Sequence, residues 1–222
     1  PTLATRYLDE MGCSKNYHDH VVNDGARHHM VVQRESASLK LFIDGEGVGT
    51  YTYNDPGWEW DNQPNYSHVA RRLTVGYEYC TETIDTKYHL EGVVDELRIY
   101  GRALSQEEVD SLYREGGLDW KNFRTISDPG GIFDVDGNTV ALWRFDSLGA
   151  ADSLYDVSGN ENHGRISGAT WVAGKQGKAL SFDGVDDYVL SNTDVPERNV
   201  SFELWMKCDS NTQASLLTAY GS

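Results

Sequence analysis

The sequence lacks any apolar run approaching the ~20 residues that a membrane-spanning helix requires, which speaks against membrane insertion. It is poor in positive charge: 19 Lys and Arg stand against 35 Asp and Glu, for a net charge of −16. Such a surface repels phosphate backbones and argues against nucleic acid as a partner. Proline is scarce, at 5, and cysteine scarcer still. Cys13, Cys80 and Cys208 lack CxxC spacing and allow one internal disulfide at most. No phosphate-cradling glycine motif and no Ser-His-Asp order stands out. The chain opens on Pro1 without a Met or a leader, so we expect a piece of a longer, multidomain chain.

What is present is glycine (22), tyrosine (13) and short alternating runs, a composition suited to many strands joined by tight turns. Residues 92–113 organise the reading. In Gly92–Tyr100 the period of two places Val93, Asp95, Leu97 and Ile99 on one face, so Asp95 is a carboxylate among apolar side chains and needs a donor or a cation. Ser105-x-x-Glu108 is a capping box, with Leu104 placed to staple onto Val109, and predicts a short helix over 105–114 with Val109, Leu112 and Tyr113 as its apolar stripe.

In chain order, Thr5–Leu8 and Tyr17–Val22 read as strands, Asn23-Asp24-Gly25 as a tight turn, and His28–Val32 as a strand. Leu39, Leu41 and Ile43 alternate before the Asp44-Gly45 turn, and Val48–Tyr53 returns. Residues 54–68 form a loop by composition, Leu73–Tyr77 a strand, and 116–138 a linker carrying Gly116-Gly117, Pro129-Gly130-Gly131 and Asp136-Gly137. Beyond it, Val140–Asp146 begins a new strand, and Val200, Phe202, Leu204 and Met206 alternate with Ser201, Glu203, Trp205 and Lys207.

Several of these segments resemble, in family order, the LamG-like jelly rolls of the concanavalin A-like lectin/glucanase superfamily. The Gly92–Tyr113 stretch looks like that family's closing strand and terminal helix. Asp156-Val157-Ser158-Gly159-Asn160-Glu161-Asn162-His163-Gly164 matches its Asp-x-Ser-Gly-Asn-x-x-His-Gly loop, and Gly177–Val189 its next strand pair. Arg27 stands where the family usually has a Trp. The resemblance implies an all-β, antiparallel two-sheet jelly-roll sandwich with one short helix. It also implies an inverted order: residues 1–115 look like the C-terminal part of a jelly roll and 139–222 like an N-terminal part. A window cut from tandem repeats and a circularly permuted sandwich both fit. Half a sandwich leaves a sheet face and edges uncovered, so the two parts are expected to complete one another.

Four chemistries are open to these residues. Asp156, Ser158, Asn160 and Asn162 alternate along a Gly-containing loop and, with Asp95, offer oxygen ligands to Ca²⁺. The same string also forms a plain Asx turn. Tyr53, Trp58, Trp60, Asp61 and Tyr66, with Tyr51, give an aromatic platform and polar groups suited to a glycan, or else anchors of a packed loop. His18, His20, His28 and His29 form an incomplete zinc set. For hydrolysis, Glu59 and Asp61 begin an alternating acid row that Pro64 interrupts, while the adjacent Asp95 and Glu96 point to opposite faces. The expectation is a non-catalytic extracellular recognition module binding carbohydrate, secreted or on a cell surface, with a glycan or an extracellular protein as partner. The competing readings are a structural or adhesive spacer without a sugar site and a glycoside hydrolase.

Overall fold

A computed structural model describes residues 22–35, 38–52, 71–77, 89–115, 135–146, 152–175, 177–196, 199–209 and 216–221. The strand readings at Thr5–Leu8 and over 17–21 lie outside these residues. The strands are β1 (His28–Glu35), β2 (Ser38–Ile43), β3 (Glu46–Thr52), β4 (Arg71–Val75), β5 (Glu91–Tyr100), β6 (Thr139–Trp143), β7 (Ser153–Leu154), β8 (Gly164–Ser167), β9 (Thr170–Ala173), β10 (Lys178–Asp183), β11 (Tyr188–Ser191), β12 (Asn199–Cys208) and β13 (Leu217–Gly221); helix α1 is Gln106–Glu115. No helix among the described residues is long and apolar enough to cross a membrane.

The strands form two antiparallel sheets. The eight-stranded sheet runs β3-β2-β1-β12-β5-β10-β9, with β6 also on β5, and the five-stranded sheet runs β13-β4-β11-β8-β7. Strand β12, from the C-terminal part, lies between β1 and β5, from the N-terminal part: Val32 pairs with Phe202, and Phe202 with Ile99. The second sheet is interleaved in the same way, with β11 on β4 and β4 on β13. Between the sheets lies the main core. Met30, Val32, Ile43, Val94, Leu97, Ile99, Phe202 and Leu204 of the larger sheet belong to one buried cluster with Leu73, Val75, Leu154, Val189 and Leu217 of the smaller.

The uniform alternation expected for β5 is corrected by the structure. Glu96 takes a positive φ of 52°, and the pairing with β12 slips between Glu203 and Trp205. Two β5 residues thus oppose Leu204, as in a β-bulge, and the side-chain parity flips there. Val94, Leu97 and Ile99 reach the core. Asp95 does not share their face; it lies on the outer face, beside Trp205 in the ladder.

Helix α1 covers part of that outer face. Leu104, Val109 and Leu112 pack on Val31, Phe42 and Tyr100 in a second apolar cluster. The capping box forms as the sequence predicts: Glu108 N donates to Ser105 Oγ at 3.2 Å and Ser105 N to Glu108 Oε2 at 2.8 Å. Arg102 clamps both Glu108 oxygens at 2.7 and 2.8 Å. Glu108 is held below the usual carboxylate range by its Arg102 bond, which outweighs partial burial.

Candidate functional site

The outer face of the larger sheet carries a buried ionic cluster arranged in cross-strand rows. His29, Trp205 and Asp95 form one row across β1, β12 and β5; Val31, Glu203 and Arg98 form the next. His29 Nε2 meets Glu203 Oε1 at 3.0 Å, with both side chains almost wholly buried. Arg98 lies 3.6 Å from Glu203 Oε2 and 3.6 Å from Glu96 Oε2. Asp95 Oδ2 accepts the backbone N–H of Lys175 at 2.6 Å, and the Lys175 ammonium sits 4.1 Å above the Trp205 ring, a cation–π contact. Tyr113 of α1 stacks on Trp205 at 6.0 Å and flanks His29 at 5.9 Å.

Charge balance follows from this packing. Burial pushes the Glu96 carboxyl up to about 7; Arg98 pulls against this, and Asp95 and Glu203 add to the rise. Arg98 is driven the opposite way by burial, yet Glu203 and Glu96 hold it firmly protonated. Burial likewise pushes Tyr100 up to about 12.

The residues proposed for calcium do not meet at one point. Asp95 bonds Lys175, whereas Asp156 belongs to a separate turn built onto β6. Asp156 Oδ1 accepts the N–H groups of Leu142 and Ser158, both at 2.9 Å. Its Oδ2 accepts Ser158 Oγ–H at 2.7 Å and Asn162 N–H at 3.0 Å. A carboxylate has about four acceptor positions, and protein donors fill them all, so this set does not fit a cation. Ser158 Oγ also accepts Asn160 N–H, and the Asn160 amide donates to Thr139 and Val140 carbonyls. The loop is an Asx turn that stitches the start of β6 in place.

A gathering of acids that sequence reasoning did not single out lies at the β10–β11 turn. There Asp183, Asp186 and Asp187 bring one oxygen each within 4.8 Å of one another. Asp187 Oδ2 accepts Asp183 N–H at 2.9 Å, and Asp183 Oδ1 accepts Val185 N–H at 2.8 Å, so two of the three carboxylates hold the turn. Of the histidines, His28 bridges Asp44 at 2.8 Å and Asp24 at 3.1 Å, stapling two turns, and His29 is committed to Glu203. His18 and His20 lie outside the described residues. So do Tyr53, Trp58, Trp60, Asp61 and Tyr66; the chain carrying them connects β3, at the edge of the larger sheet, to β4 in the smaller.

A family model described as the concanavalin A-like lectin/glucanases superfamily matches residues 14–110. Over that segment the chain is similar to LamG-like domains. The LamG-like segment supplies β1 to β5 and the start of α1, and its two-sheet antiparallel sandwich is completed by strands from 139–221. Neither the curated proteins nor the solved structures contain a match to the chain.

Proposed function

We propose that this chain is a non-catalytic carbohydrate-recognition module of a larger secreted or surface protein. The observation that carries the choice of binding over hydrolysis is the state of the acids. Glycoside hydrolysis needs two carboxylates flanking an accessible sugar bond. On the outer face of the larger sheet, Asp95, Glu96 and Glu203 are all buried and engaged with Lys175, Arg98 and His29, while the exposed cross-strand acids Glu91 and Asp183 lie at the strand ends, where Asp183 holds the β10–β11 turn. Recognition then falls to Tyr53, Trp58, Trp60, Asp61 and Tyr66, whose rings suit sugar C–H faces and whose carboxylate suits hydroxyls. An extracellular setting is supported by Cys208, which is disulfide-bonded, since such bonds persist in oxidising compartments.

A glycan array tests this. The wild-type chain should retain a defined set of glycans that the Trp58→Ala/Trp60→Ala chain loses at unchanged melting temperature. An array without a hit, together with a variant altered only in stability, would favour a structural or adhesive spacer that takes an extracellular protein ligand.

A further inference from the structure

The chain holds two Asn-x-Ser/Thr triplets, Asn65-Tyr66-Ser67 and Asn199-Val200-Ser201, and neither has proline at its middle position. This triplet is the acceptor signal for N-linked glycosylation, a bulky modification that requires a surface asparagine in an exported chain. Residues 65–67 lie outside the described residues. Asn199 is the first residue of β12, so its surroundings are open to reading.

Strand β12 sends Val200, Phe202, Leu204 and Met206 into the main core. By the period of two, Asn199 projects to the opposite, outer face with Ser201, Glu203 and Trp205. Those three are buried, whereas Asn199 is exposed. The ladder explains the difference. Strand β5 reaches only to Tyr100, which pairs with Ser201, so Asn199 is paired to β1 alone. Its cross-strand row is Ser38–Glu35–Asn199, and Glu35 is itself exposed and turned to Lys40 at 3.1 Å. Among the described residues nothing hydrogen-bonds the Asn199 amide. A large polar group on its Nδ2 therefore displaces no packed side chain of these rows.

Ser201 imposes an order of events. Its side chain is fully buried, and its hydroxyl donates to Arg102 O at 2.7 Å. The hydroxyl is part of the signal that a transferase reads, and the folded sheet hides it. From an exposed acceptor nitrogen and a buried recognition hydroxyl, we infer that Asn199 is a site of N-linked glycosylation, modified while the chain is still unfolded and before β12 closes the larger sheet. The donor is a lipid-linked oligosaccharide of the export membrane. The bond from Asn199 Nδ2 to sugar C1 forms as the C1–O bond to a polyprenyl diphosphate breaks. The diphosphate leaves with the electron pair, and one amide proton passes to a base of the transferase. The inference rests on the extracellular setting proposed above and on no sugar-binding residue, because this glycan is carried covalently.

The test is translation of the full chain, behind a secretory leader, in the presence of endoplasmic-reticulum microsomes, scored on protease-protected chains. In an Asn65→Gln background one slower band should appear, and peptide-N-glycosidase should return it to the unmodified mobility. Adding Asn199→Gln should abolish the band, and so should adding Ser201→Ala, which leaves the acceptor in place. The folded Asn65→Gln chain, purified unmodified from a bacterial host and given solubilised microsomes with their lipid-linked oligosaccharide, should stay unmodified. A missing band among the protected chains, a band that survives Asn199→Gln or Ser201→Ala, or ready modification of the folded chain would overturn the inference. The glycan array reads bound sugar and this assay reads attached sugar, so a silent array and a missing band are separate failures.

Discussion

Glu96 shows how one residue can both shape and tax a fold. Its positive φ makes the bulge that turns Asp95 outward, and its carboxyl is buried beside two other acids. Between its ordinary value of 4.5 and its folded value of about 7, the native state holds a proton that the unfolded state has released. Unfolding free energy therefore falls as pH rises through that window. At about 1.4 kcal/mol for each tenfold change in proton affinity, the loss amounts to roughly 3 kcal/mol. Glu96→Gln should flatten most of the decline between pH 5 and pH 8 in urea melts; a variant keeping the wild-type slope would refute the assignment. His28 contributes with the same sign. Burial works against its charge, but Asp44 and Asp24 outweigh it and raise its pKa, so its stabilisation is full below 6.5 and fades as pH rises through the folded value. Asp156 makes a different prediction. Its four accepted hydrogen bonds imply that Asp156→Ala costs about 3 kcal/mol, with buried N–H groups left unpaired, measured as a lower urea midpoint. The Asx turn was legible from Asp-x-Ser-Gly-Asn. That its carboxylate is saturated was not, because the Leu142 donor comes from a neighbouring strand.

Among the elements, α1 was legible almost to the residue. Its capping box, its staple and its stripe are local, and local chemistry sets where a helix begins. Ser105→Ala should cost about 1 kcal/mol, the usual worth of a cap, seen in thermal melts. Strand β5 was legible only in part. A period-two reading assumes an unbroken pleat, and nothing about a Glu announces a positive φ. The pairing of Arg98 with Glu203 was illegible for another reason: 105 positions separate them, and only the ladder makes them neighbours. Gly92 gives the sharpest test of that ladder. A Cβ there would clash with the Lys207 carbonyl oxygen, a backbone atom that cannot step aside. Gly92→Ala should therefore destabilise by about 3 kcal/mol or more. A fully stable variant would place β12 elsewhere.

Taken whole, the molecule joins strands from both sides of residues 116–138 in each sheet. The resemblance to LamG-like domains made the class of fold and the need for mutual completion legible, since half a sandwich cannot cover its own face. It did not reveal that β12 occupies the middle of the larger sheet, because strand order depends on long-range packing of similar apolar faces. Cut within 116–134 and co-expressed as two chains, the parts should copurify as one complex, whereas either alone should be insoluble; independent solubility of both would contradict the interleaving.

That arrangement also bears on how the protein is made. His28 pairs with Met206 and His29 with Trp205, so the centre of the larger sheet cannot close until residues 199–208 have left the ribosome. The nascent N-terminal half waits with β1 and β5 each lacking the neighbour that separates them, and unpaired strand edges of this kind are the usual seeds of aggregation. Synthesis from one end turns a static feature of the sheet into a timed vulnerability, one that closes only as residues 199–208 arrive.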